Sequence, residues 1–115
     1  MMKENKENYL DRIPCRTSRF RWSQDEEGFV TIHIEHRGFF DRVAQNLFDR
    51  PRVSHVDLDA FGSVLWLNMD GKKTVGELAD VIENHFGEKA HPLYERLIVF
   101  MQMLARQEFI TWRKE

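Results

Sequence analysis

Cysteine occurs once in the 115 residues, at Cys15. A single thiol makes no internal disulfide and no cysteine-built metal site, so the composition points to a reducing, cytoplasmic setting or to indifference about redox. Long apolar runs are missing as well. No stretch approaches the roughly 20 residues that span a bilayer, and Met1 to Asn8 lacks the apolar core of a signal peptide. Basic excess is the third absence. The formal net charge is −2, whereas nucleic-acid-binding domains draw much of their affinity from Lys and Arg contacts to phosphate. A soluble domain is expected, with neither membrane nor nucleic acid as its partner.

Signs of catalysis are equally sparse. The histidines at 33, 36, 55, 85 and 91 form no H-x-x-x-H pair and no Cys/His cluster, and His33 and His36 point to opposite faces of a strand. They read as scattered surface residues, with no metal site. Ser18, Ser23, Ser54 and Ser63 lack the oriented base and Gly-rich elbow of a nucleophile, and Cys15 after Pro14 reads as an inert thiol. Asp57 and Asp59 could form a carboxylate pair, but a helix cap is the simpler role. Asp70-Gly71-Lys72-Lys73-Thr74 has the tail of a phosphate loop without its first glycine or a preceding strand, and reads as a turn. No catalytic residue and no cofactor is expected.

What the chain does contain is material for one core: nine Phe, three Trp and two Tyr, each burying on the order of 150–250 Å². Residues 1–12 read as a polar, flexible lead-in, and 13–115 as a single domain. Phe20 and Trp22 alternate with Arg19, Arg21 and Ser23. After the turn Gln24-Asp25-Glu26-Glu27-Gly28, Val30, Ile32 and Ile34 alternate with Thr31, His33 and Glu35. Period-2 patterning on both sides of a turn predicts a hairpin. Between Arg37 and Pro51, Phe39, Phe40, Val43, Leu47 and Phe48 suggest a short helix or ordered loop. Arg52 to Leu58 predicts a third strand.

From Asp59 the period becomes helical. Phe61, Leu65, Trp66 and Met69 mark a first helix, with Trp66 in the core. Thr74 and Glu77 form a capping box ahead of Val75, Leu78, Ala79, Ile82 and Phe86, and Gly87 stops that helix. Pro92 opens a third helix with the stripe Leu93, Leu97, Phe100, Met101 and Leu104. Phe109 to Trp112 suggests a closing strand. Segregated strands and helices predict an α+β fold, a winged-helix-turn-helix-like arrangement of a three-stranded antiparallel sheet followed by three helices. Gly62 and Gly76, costly inside helices, point to close helix packing.

The run Leu58-Asp59-Ala60-Phe61-Gly62-Ser63-Val64-Leu65-Trp66, followed by Met69-Asp70-Gly71-Lys72-Lys73-Thr74-Val75-Gly76-Glu77-Leu78-Ala79, resembles the PqqD family, the coenzyme PQQ synthesis protein D family. The resemblance covers residues 13 to 112. It implies a winged-helix-like domain that binds the leader of a precursor peptide and presents it to a modifying enzyme, often a radical SAM enzyme. In the family the leader adds as a strand to the edge of the third strand and lies against the third helix. Carried to this chain, the edge is Arg52, Val53, Ser54, His55, Val56 and Asp57, and the helix contributes Tyr94, Ile98, Met101 and Ala105.

Two other classes compete. A winged-helix nucleic-acid binder needs outward Arg and Lys on its third helix; here Glu95, Arg96, Arg106 and Glu108 balance, and Arg16, Arg19 and Arg21 are the best basic patch. A protein–protein interaction module without a peptide substrate would use Phe39, Phe40, Phe48 and Trp112.

Overall fold

Asp25 sets the first hairpin. Its Oδ1 accepts from the N–H groups of Glu27 and Phe29, both at 2.9 Å, and Gly28 takes the positive φ of 93° that the turn requires. In the computed structural model, which describes residues 9–35 and 53–113, this turn joins β2 (Arg21–Gln24) to β3 (Val30–Glu35). β4 (Val53–Asp57) lies on the other side of β3. Both pairings are antiparallel, with Trp22 opposite Ile32 and Ile32 opposite Val56. Period 2 then sends Val30 and Ile32 into the core, fully buried, while Thr31 and His33 stand on the other face.

The expected order of three strands followed by three helices is present, and the fold is α+β. A second sheet adds to it: β1 (Pro14–Arg16) pairs antiparallel with β5 (Ile110–Trp112), matching Pro14 to Trp112. Of the expected lead-in, residues 9–12 pack on the domain. Tyr9 is buried and meets the Trp112 ring edge-on at 5.6 Å, and the Arg12 carbonyl accepts from the Val75 N–H. The segment from Arg37 to Pro51, with its expected short helix, lies outside the described residues.

α1 (Ala60–Asn68) begins at Asp59, whose Oδ1 accepts from the Gly62 N–H at 2.8 Å. Asp59 rather than Asp57 is therefore the cap; Asp57 instead accepts from Thr31 Oγ1. α2 (Val75–Phe86) carries the expected capping box, with Thr74 and Glu77 bonded reciprocally, and ends at Gly87 with φ 62°. A 3-10 turn over Gly87–Ala90 leads to α3 (Leu93–Arg106). In the α1–α2 turn the Lys72 and Lys73 backbone N–H groups, and then the Lys73 ammonium, hold the Asp70 carboxyl well below the usual carboxylate range. A turn, not a phosphate loop, accounts for these residues.

The core gathers Val30 and Ile32 of the sheet with Leu65, Trp66, Leu78, Ile82, Leu97, Met101 and Leu104 of the helices. Ser63 is the buried polar member. Its Oγ accepts from the Val30 N–H at 2.9 Å and donates to the Leu58 carbonyl at 3.3 Å, tying α1 to the sheet. Replacing Ser63 by Ala strands a buried N–H, so Ser63→Ala costs about 1–3 kcal/mol, measurable as a lower urea midpoint with an unchanged m-value.

Candidate functional site

Two structural features lie close in sequence where β4 runs into α1. The first is a strand edge. Among the described residues β4 pairs with β3 alone, so its far side offers backbone N–H and C=O groups for an added strand. The second is a groove of about 500 Å³ that starts two residues beyond β4. Asp59 and Phe61 form one wall, and Glu95, Arg96, Val99, Phe100 and Met103 of α3 form the other.

Helical geometry explains the second wall. Arg96, Val99, Phe100 and Met103 follow i, i+3, i+4, i+7 spacing, so they share one flank of α3 beside the core stripe of Leu93, Leu97, Met101 and Leu104. Phe100 stands edge-on to Phe61 at 6.4 Å, and Phe61 stacks on Phe86 at 6.1 Å. The Arg96 guanidinium lies 4.3 Å from the Phe61 ring centre and donates to the Lys89 carbonyl at 3.0 Å. That cation–π contact holds a long side chain along the groove wall. Val99 keeps 64% of its surface in solvent.

Gly62 explains why the wall is deep. A Cβ there would come within 2.6 Å of Phe100 Cζ, so only glycine lets that ring lie against the start of α1. Gly76 has a related role against the Leu10 carbonyl, where a Cβ would sit at 3.3 Å.

The residues named from the sequence fall in different places. Arg52 lies outside the described residues, and Val53 and Ser54 are placed by their backbone pairing to Glu35 and Ile34. His55 and Asp57 are exposed, and Val56 is half-buried against the core. On α3, Tyr94 is exposed, Ile98 and Ala105 are half-buried and Met101 is fully buried. Tyr94, Ile98 and Ala105 belong to the flank of α3 opposite the groove, and Met101 to its core stripe. Asp59, Phe61, Arg96, Val99 and Met103 were not singled out for binding, although Val99, Phe100 and Met103 form a second apolar stripe that sequence spacing already contains.

Among the described residues no three His, Cys, Asp or Glu side chains gather as a metal centre, and no helix is long and apolar enough to cross a membrane. The model of the family described as coenzyme PQQ synthesis protein D (PqqD) matches residues 46–110, over half of the chain. This match takes in β4, all three helices and the start of β5. No curated protein and no solved structure matches the chain.

Proposed function

The chain belongs to the coenzyme PQQ synthesis protein D family, and from that premise we propose that it captures the leader of a ribosomally made precursor peptide by strand addition. Members of the family are accessory proteins rather than catalysts. The bound leader extends the sheet along the β4 edge, from Arg52 to Asp57, and one or more of its apolar side chains enter the groove against α3. Its modifying partner is an enzyme of the radical SAM type, to which the tethered peptide is delivered at high effective concentration.

One observation carries this reading: among the described residues β4 has no partner on its far side, and an apolar groove begins at Asp59, two residues after that strand ends. Magnitudes show why both are needed. Each backbone hydrogen bond adds about 0.5–1.5 kcal/mol net, and a micromolar complex needs about 8 kcal/mol. The β4 strand has five residues and offers only alternate groups outward, so its edge alone falls short. Burying a Val-sized or Leu-sized side chain contributes about 1.5–3 kcal/mol, and the groove supplies such sites. On α3 the contact falls to Arg96, Val99, Phe100 and Met103. Of Tyr94, Ile98, Met101 and Ala105, Met101 has no surface to offer, and its part is to support α3 from within.

The test is a search of the neighbouring genes for a short peptide and a radical SAM enzyme, followed by an NMR titration with that peptide. Amide shifts concentrated at Val53–Asp57 and at Arg96–Met103 are expected, and raising the salt from 50 to 200 mM changes the affinity less than threefold. A loss of about 10³-fold or more over that range marks binding through many phosphate-like contacts and removes the strand-addition reading.

A further inference from the structure

The sheet face turned away from the core holds a feature that the peptide reading does not use. His33 of β3 and His55 of β4 stand directly opposite each other in the antiparallel register, although 22 positions separate them in the chain. The sequence alone treats them as scattered. In the fold their Nδ1 atoms are 3.0 Å apart, and their rings meet nearly at right angles, 85°, with centres 5.0 Å apart. His33 is half-buried and His55 exposed.

We propose that His33 and His55 form a two-imidazole site for a borderline transition-metal ion, taking Cu²⁺ in preference to Zn²⁺; this site does not depend on the peptide-capture reading. The facing Nδ1 atoms share one hydrogen: one ring donates and the other accepts. A divalent ion takes the lone pair of each Nδ1 in place of that hydrogen, and the displaced proton moves to the Nε2 of the same ring. With metal–nitrogen bonds of about 2.0–2.1 Å, donors 3.0 Å apart subtend about 95° at the ion. That angle suits two adjacent positions of a tetragonal Cu²⁺ site and is narrow for the tetrahedral angle of Zn²⁺. The order of intrinsic affinities points the same way.

A second contact completes the case. Ser23 Oγ lies 2.9 Å from His33 Nε2. When Nε2 carries the proton it donates to the Ser23 hydroxyl, which leaves Nδ1 as the free ligand atom and fixes the ring plane. A hydrogen bond to the non-ligating nitrogen is the usual support of a metal-binding histidine. Because the two ligands belong to neighbouring strands, the ion also clasps β4 to β3 on the face away from the core, and water fills the remaining coordination positions.

The experiment is a titration of the full, untagged, chelator-treated chain with CuCl₂ and, separately, with ZnCl₂, followed by calorimetry and by electron paramagnetic resonance of the Cu²⁺ form. One equivalent of Cu²⁺ is expected, with hyperfine splitting from two nitrogens and at least tenfold weaker Zn²⁺ binding. His33→Ala and His55→Ala each lose about tenfold or more in Cu²⁺ affinity, and Ser23→Ala loses severalfold, while His85→Ala leaves it unchanged. All three strand positions face solvent at least in part, and far-UV circular dichroism confirms that each variant is folded. Cu²⁺ affinity that survives both His33→Ala and His55→Ala overturns the proposal, as does a splitting pattern from a single nitrogen.

Discussion

Val99→Glu weakens peptide capture about 100-fold or more while leaving the domain folded. The side chain is 64% exposed, on the wall of α3 that lines the groove, so little is lost from the free protein. Surface replacements of this kind change stability by about 0.5 kcal/mol or less, and glutamate is a better helix former than valine. The complex, in contrast, loses the burial of an apolar side chain, about 1.5–3 kcal/mol, and must also desolvate a carboxylate against Phe61, Phe100 and Met103, where the one nearby cation in the groove lining, Arg96, is already held over Phe61 and at the Lys89 carbonyl. With 1.4 kcal/mol per factor of ten, the expected loss in affinity is about 100-fold or more. Calorimetric titration of the leader peptide measures it, with thermal unfolding as the control for folding. An affinity within twofold of the parent would place the peptide elsewhere, and Tyr94→Glu on the exposed opposite flank then becomes the informative variant.

Trp66→Ala removes a large share of the stability of the domain. Trp66 keeps 1% of its surface exposed and meets Trp22 edge-on at 6.2 Å, while its carbonyl accepts from Arg16. Truncating a buried Trp to Ala costs about 3–5 kcal/mol, a large share of the 5–15 kcal/mol that holds a typical domain together. Trp66→Phe separates volume from polarity. The indole Nε1 is buried and has no hydrogen-bond partner among the described residues, so phenylalanine removes a donor whose loss costs little. Trp66→Phe is therefore expected to lose roughly half or less of what Trp66→Ala loses, read from urea midpoints. Equal losses for the two variants would mean that the indole N–H has a partner in the folded protein.

The contrast between these two tryptophan neighbours shows what local pattern conveys. Trp66 lies on the apolar stripe of α1, so its burial is legible from spacing. Trp22 lies in β2, whose four residues are all exposed, and only its edge-on contact with the Trp66 ring of α1 reveals its place. The same limit applies to the helix side of the candidate site. Periodicity identifies α3 and the stripe it buries, but a helix has two flanks beside that stripe. Arg96, Val99 and Met103 line the groove because Gly62 allows Phe100 to settle against the start of α1, a contact between positions 38 apart in the sequence.

By itself the sequence determined the elements that short-range chemistry encodes: the Asp25–Gly28 turn, the alternation of β3, the Thr74–Glu77 box and the core face of each helix. Hydrogen bonds and side-chain spacings within a few residues set all of these, so they are written locally. The tertiary structure alone decided the pairing of β1 with β5, the flank of α3 that meets the start of α1, and the juxtaposition of His33 with His55. Each of those depends on register between segments far apart in the chain, and register follows from how the whole core packs, a property that no local window contains.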